Sequence, residues 1–355
     1  LVLWRKPMSL FVKGIFLEQK KEPMLTRSTL VMRQEFEYFD CDFPDSAIDE
    51  LSREQIIELA RLAEIVDESD GKMLWEKLEK SPSGENVTLI VDAVDDEPYI
   101  SSQMSVGIHQ PEKLSLGTEL CEKVLSPEKV YIAMYRHILD SNFGIPKKIG
   151  KYHVKKIGGL YPAESRVHRH LPKGKNSVII GACAMLHLAR AAEESRKMTT
   201  CFVTVAGDVV KNPRNVEVPI GTTAEKILEL CGLTEEPEAI ILGGSMTGRA
   251  IFEPENETVG PTTRGVIALS RSYGTYSYTC IGCGRCDHAC PKALSVCAMR
   301  RFAEAGNFEM LKKYDVSMCI GCGACSYVCP SRIDVSATLL KAKKQMELSK
   351  KEGTL

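Results

Sequence analysis

Cys280-Ile-Gly-Cys283-Gly-Arg-Cys286-Asp-His-Ala-Cys290-Pro291 returns after a spacer as Cys319-Ile-Gly-Cys322-Gly-Ala-Cys325-Ser-Tyr-Val-Cys329-Pro330. Each copy reads C-x2-C-x2-C-x3-C-P, the run that holds a [4Fe–4S] cluster. Three closely spaced thiolates can wrap one face of a cubane. Gly282, Gly284, Gly321 and Gly323 let the backbone turn tightly and bring amide N–H groups towards the sulfurs. The proline after the fourth cysteine has no N–H and turns the chain away. Structural zinc is the rival reading, but zinc sites use C-x2–4-C pairs set well apart, not four cysteines in one short run that occurs twice. A disulfide framework belongs to small secreted domains and suits a chain of 355 residues poorly.

In two-cluster ferredoxins with this run, the fourth cysteine ligates the other cluster. Cys290 and Cys329 each lie four residues beyond their trio, about one helical turn on, and are carried away from their own cubane. The expected ligand sets are Cys280, Cys283, Cys286 and Cys329 for one cluster, and Cys319, Cys322, Cys325 and Cys290 for the other. The alternative is that each run closes its own cluster. No catalytic residue is singled out.

The length suggests two or three domains. A net charge of −1 gives no overall pull towards nucleic acid or an anionic membrane. No stretch reaches the ~18 apolar residues of a membrane-spanning helix; Ser177 to Ala192 contains His187 and Arg190 and reads as a buried helix. The expectation is a cytoplasmic chain in a reducing compartment, soluble or peripheral to the cytoplasmic membrane through its partners. Cys41, Cys121, Cys183, Cys201, Cys231 and Cys297 read as small buried hydrophobes.

Residues 1–50 carry no readable chemistry, and Leu1 is not a start methionine, so the beginning reads as incomplete. Short apolar stretches at Leu10–Leu17 and Thr29–Phe36 suit strands. Ser52-Arg-Glu-Gln55 is a capping box opening a helix with an Ile56, Leu59, Ala60, Ala63 stripe. Strands are expected at Val87–Val94, Val130–Tyr135, Tyr152–Ile157 and the start of Ser177–Lys197. Helices are expected at Pro111–Leu125, where Gly117 is a weak point, and over the rest of Ser177–Lys197. Alternating strands and helices predict an α/β layer with a mostly parallel sheet. Between Lys147 and Lys175 basic residues and His153, His168 and His170 face a single acid, Glu164; this reads as a solvated surface or a dock for an acidic protein or dinucleotide. From Phe202 to Ser270, alternating strands around a short helix suggest a β-grasp domain. Gly243-Gly-Ser-Met-Thr-Gly248 in it reads as a structural turn, with a phosphate nest as the other possibility. Residues 271–355 form a helical cluster domain: a spacer over Leu294–Tyr314 broken at Gly306-Asn307, then a terminal helix over Ile333–Lys351.

This order of parts resembles the RnfC family of the Rnf-type electron transport complex. Related families include a proline reductase-associated electron-transfer protein, a cobalamin reductase of propanediol utilisation and, more distantly, the flavin-binding subunit of respiratory complex I. Cys325-Ser-Tyr-Val-Cys-Pro-Ser331, Val203-Thr-Val-Ala-Gly-Asp-Val-Val-Lys-Asn-Pro213, Val218-Pro-Ile-Gly-Thr222, Gly243–Gly248 and Leu89-Ile-Val-Asp-Ala-Val-Asp-Asp-Glu-Pro-Tyr99 carry the resemblance. It implies an α/β multidomain protein: a short unassigned segment (1–50), a Rossmann-like α/β domain (51–198), a soluble-ligand-binding β-grasp (SLBB) domain (199–270) and a C-terminal helical dicluster ferredoxin-like domain (271–355). It also implies an iron–sulfur electron-transfer subunit working between redox protein partners in a complex. The rivals are an FMN-containing, NADH-oxidising subunit and a zinc-stabilised scaffold. Relatives that bind FMN carry a Gly-x-Gly-Gly-Ala-Gly-Phe-Pro loop where this chain has Ile65-Val-Asp-Glu-Ser-Asp-Gly-Lys-Met-Leu-Trp75. Asp67, Glu68 and Asp70 are expected to repel a flavin phosphate, so no tightly bound FMN is expected.

Overall fold

Ser52 opens the first helix as its capping box predicts. Its hydroxyl accepts from the Gln55 N–H at 3.3 Å, and its own N–H donates to Gln55 Oε1 at 2.8 Å. The computed structural model describes residues 30–31, 48–84, 86–136, 145–163, 176–271 and 277–351. Most of residues 1–50 and the basic stretch 164–175 therefore lie outside the described residues. The chain divides into two compact units, 1–271 and 272–355.

After strand β1 (Leu30–Val31) come α1 (Arg53–Leu62), α2 (Leu74–Lys80), β2 (Val87–Ala93), α3 (Ser102–His109) and α4 (Pro111–Leu125). Then follow β3 (Lys129–Tyr135), β4 (Lys148–Ile149), β5 (Tyr152–Ile157), β6 (Asn176–Gly181) and α5 (Ala182–Glu194). The sheet runs β4-β5-β3-β2-β6, parallel throughout except for β4 against β5. Strand β2 is buried along its whole length, as a strand covered on both faces must be. Gly117 is a close-approach residue: a Cβ there would fall 1.9 Å from the Met185 carbonyl oxygen of α5. The helix gives up some propensity at Gly117 and gains tight α4–α5 packing.

The second sheet runs β1-β8-β7-β11-β9-β10. Its elements are β7 (Thr200–Ala206), β8 (Arg214–Pro219), α6 (Ala224–Cys231), β9 (Ala239–Leu242), β10 (Arg249–Ile251) and β11 (Gly265–Leu269). Its apolar residues form a core separate from that of the first sheet, apart from Phe202, which packs into the first. Strand β7 is buried at every residue. The polar face is covered by the α/β layer, and several of its groups find partners there. Glu217 takes both Arg190 Nη atoms (2.5 and 3.1 Å), Arg196 Nη2 (3.3 Å) and the Thr200 hydroxyl (2.8 Å). The Thr204 hydroxyl accepts the Ser101 N–H and donates to Asn215 Oδ1. Arg190 holds the Glu217 carboxyl below the usual carboxylate range although burial pushes it up. Burial, with Arg190 beside it, drives His187 down to about 3, so it stays neutral.

The second unit contains α7 (Arg285–Ala289), α8 (Val296–Glu304), α9 (Phe308–Lys313), α10 (Ala324–Tyr327) and α11 (Val335–Lys351). Gly306, at φ +65°, breaks α8 from α9. The core is small: nine buried residues among those described, including Met299, Leu311, Val335 and Leu339, with Cys286, Cys290 and Cys319 packed against them. No helix among the described residues is long and apolar enough to cross a membrane.

Candidate metal centre

The two cysteine runs adopt the same backbone. Helices α7 and α10 both start from a left-handed glycine, Gly284 and Gly323, each at φ +70°. Gly282 and Gly321 sit at φ +66° and +68°, and Ala293 and Arg332 both at +53°. These conformations favour glycine at the four run positions. The runs are tied together where the Tyr278 N–H donates to the Ser331 carbonyl at 2.8 Å and the Ser331 hydroxyl donates to the Thr279 carbonyl at 3.0 Å.

Two cavities lie between them. Cys280, Cys283, Cys286 and Cys329 line one. Cys319, Cys322, Cys325 and Cys290 line the other. The structure thus brings each fourth cysteine to the trio of the opposite run. All eight are free thiols. Among the described residues, no three His, Cys, Asp or Glu side chains converge as one metal ion would require. Four thiols around each cavity give the four-cysteine ligand count of a [4Fe–4S] cluster, and their runs have its spacing. Burial raises Cys325 to about 12 and Cys286 to about 11, helped by the Cys322 and Asp287 charges respectively. Burial likewise raises Cys322, with Cys290 and Cys319 adding to it. These thiols stay protonated until a metal takes the proton's place. The Cys280 thiol instead shifts down, through the Gly282 N–H and then Arg300.

Of the remaining cysteines, Cys121, Cys183, Cys201 and Cys231 are buried, and Cys41 lies outside the described residues. Cys297 corrects the expectation. It is half-buried and lines the cavity of Cys280, Cys283, Cys286 and Cys329, together with Arg300. The sequence carried a signal for it, because the repeat continues past Pro291 into α8, but the cysteine pattern alone ends at the proline.

The acidic loop does something other than repel. Asp67 and Glu68 are buried. Glu68 accepts the Cys183 N–H at 2.7 Å and the Ala184 N–H at 3.0 Å, at the start of α5. Asp67 accepts the Gly181 N–H at 3.0 Å and pairs with Lys77 at 2.5 Å. These carboxylates occupy a helix N-terminus of the kind that binds phosphate. A Cβ at Gly181 would lie 2.1 Å from Glu68 Oε1, so the glycine makes room for the chain's own acid. Burial, then the Asp67 charge, raises Glu68 to about 7.

The Gly243–Gly248 turn is filled in the same way. Glu97 accepts the Met246 N–H at 2.8 Å, the Thr247 N–H at 3.2 Å and the Thr247 hydroxyl at 2.5 Å. Of the basic stretch, Lys151 pairs with Glu122 at 2.8 Å and Lys155 lies over the Tyr131 ring; His168 and His170 are outside the described residues.

Residues 202–250 match the SLBB domain and residues 279–333 the 4Fe-4S dicluster domain, and the latter brings two [4Fe–4S] clusters. The chain is 29% identical over 246 residues to the RnfC component of the ion-translocating oxidoreductase complex of Rhodobacter capsulatus, covering 62% of this chain and 46% of that protein. It is 26% identical over 234 residues to the corresponding component of the Na(+)-translocating ferredoxin:NAD(+) oxidoreductase complex of Acetobacterium woodii, covering 61% and 52%. The chain thus spans about half the length of these relatives. A solved NAD+-reducing [NiFe]-hydrogenase, in the air-oxidized state, is similar with a TM-score of 0.51 at 14% identity, over 96% of this chain and 63% of that one. At that identity the likeness speaks to the fold alone.

Proposed function

We propose that this chain, RnfC-like by its two domains and its relatives, relays electrons between redox protein partners in a complex. The observation that carries the reading is the pair of cavities, each walled by three cysteines of one run and the fourth of the other. Cys280, Cys283, Cys286 and Cys329 hold the first cluster, and Cys319, Cys322, Cys325 and Cys290 the second. When bound, the clusters supply one-electron chemistry at potentials set by their surroundings. The protein contributes rigid thiol placement, through left-handed glycines and short helices, and cover from water, through Leu294, Val296 and Leu339 at the second cavity. Residues 51–198 and 199–270 act as the α/β and SLBB domains that seat the cluster domain, 271–355, among its partners. Peripheral attachment on the cytoplasmic side of a membrane complex suits the relatives' names. NADH oxidation through FMN is not part of the reading, because Asp67 and Glu68 already take the amides at the start of α5.

The test is metal analysis with EPR. Anaerobically purified protein should carry about eight iron and eight sulfide per chain; stoichiometric zinc with little iron would refute the reading. Cys290→Ser and Cys319→Ser should perturb the same EPR signal and spare the other. If Cys290→Ser instead perturbs the signal lost in Cys283→Ser, each run closes its own cluster.

A further inference from the structure

The internal repeat does not stop at the prolines. The offset that carries Cys280 onto Cys319 also pairs Asp287 with Ser326, Cys297 with Ser336, Arg300 with Leu339 and Glu304 with Lys343. The pairing is structural. The Cys297 N–H donates to Asp287 Oδ1 at 2.8 Å, just as the Ser336 N–H donates to Ser326 Oγ at 2.8 Å. Cys297 and Arg300 line the first cavity, while Ser336 and Leu339 line the second at the matched positions. Two sites built on one backbone therefore differ where a thiol and a guanidinium replace a hydroxyl and an isobutyl group. Arg300 and Cys297 both line, with Cys280, the first cavity and the groove beside it. The Arg300 side chain is only 11% exposed, so water and salt screen it little. That groove is wide and takes in Tyr278 as well.

Resting on the cluster reading above, we propose that Arg300 and Cys297 set the reduction potential of the first cluster, raising it above what the same backbone gives with leucine and serine. The step is a one-electron reduction: the cluster and its four thiolates gain one electron, supplied by dithionite in the assay below, and no proton moves. A guanidinium and an S–H donor beside a ligand cysteine stabilise the more negative form. The opposing charges are in view. Glu304 pairs with Arg300 on its solvent side, and Asp287 places one oxygen on the Cys297 amide. Arg285 is exposed at the rim. In the other copy Lys292 is exposed, and Lys343 donates to the Ser317 and Cys319 carbonyls at 3.0 Å each, reaching backbone and not sulfur. Arg300 and Cys297 are positioning residues: they act on the cluster through Cys280.

The experiment is an EPR-monitored redox titration of the full iron-loaded chain, with the first cluster identified by the signal that Cys283→Ser perturbs. Arg300→Gln should make that cluster about tenfold harder to reduce, a fall of about 59 mV for one electron, with the second cluster unmoved. Cys297→Ala should shift it in the same direction by less, and Glu304→Gln in the opposite direction. Arg300→Lys, which keeps the charge, should restore most of the loss, separating a field effect from a packing defect. If the first cluster's midpoint stays put in Arg300→Gln, or both clusters shift equally, the proposal falls while the cluster reading stands. If the unmutated protein shows no pair of cluster signals, both fall. If Cys329→Ser spares the signal that Arg300→Gln moves, only the crossed ligand grouping falls, and the tuning by Arg300 holds.

Discussion

Replacing Glu68 with glutamine should change the sign of a stability difference between pH 5 and pH 8. In the native protein the Glu68 carboxyl is raised from 4.5 to about 7, first by burial and then by the Asp67 charge. A carboxyl raised on folding holds its proton in the folded state where the unfolded chain has lost it. Its stabilisation is therefore greatest below pH 4.5 and is lost as pH rises through about 7. At about 1.4 kcal/mol per tenfold change in proton affinity, the loss across that window is about 3 kcal/mol. Glutamine does not titrate and removes this slope. It also supplies one acceptor oxygen where the carboxyl, protonated or not, offers two to the Cys183 and Ala184 N–H groups, and stranding one buried N–H costs about 1–3 kcal/mol. Glu68→Gln should thus be less stable than the native protein by about 1–3 kcal/mol at pH 5, and level or more stable at pH 8. Urea titration followed by tryptophan fluorescence measures this, since Trp75 lies on α2 in the same unit. A stability gap of equal size at both pH values would refute the reasoning.

Three further outcomes are expected. The supernatant after acid precipitation should show no stoichiometric FMN fluorescence; near-equimolar flavin would mean that the phosphate is bound away from the start of α5. Glu217→Ala should cost about 3–5 kcal/mol in urea unfolding, because it leaves Arg190 and Arg196 buried without their acid, and a loss under about 1 kcal/mol would contradict the pairing. Gly117→Ala should destabilise by at least about 1–3 kcal/mol, since its Cβ would meet the backbone of α5 at Met185; thermal unfolding at neutral or raised stability would show that the helices part freely there.

The proposed cluster ligands stand out in the sequence because their chemistry is local. Thiols, glycines and a proline at fixed spacing state the turn and its contents together, and the fourth cysteine's departure along a helix can be read from the same line. Cys297 and Arg300 were not legible in that way, because they belong to the site through a helix packed against it and only alignment of the two copies reveals them. The acids at Asp67 and Glu68 were visible as a departure from a phosphate loop. Their action as ligands for the chain's own amides was not, since Cys183 and Ala184 lie more than a hundred residues away. The alternation of β7 and β8 shows only that their two faces differ, not whether water or another polar layer covers the second face. Arg190 and Glu217 meet only after the two sheets have docked.

The interleaved walls of the two cavities bear on how this unit is made. Each cavity is closed by one cysteine that crosses from the other run, Cys329 at the first and Cys290 at the second, and the apolar core against which the runs pack is only nine residues strong among those described. Inorganic loading and chain collapse are then parts of a single event. A nascent chain that ends before Cys329 already carries the four cysteines of the second site but lacks one of the first, so the second site is expected to be fillable before the first. Damage to either cluster would be felt as unravelling of both.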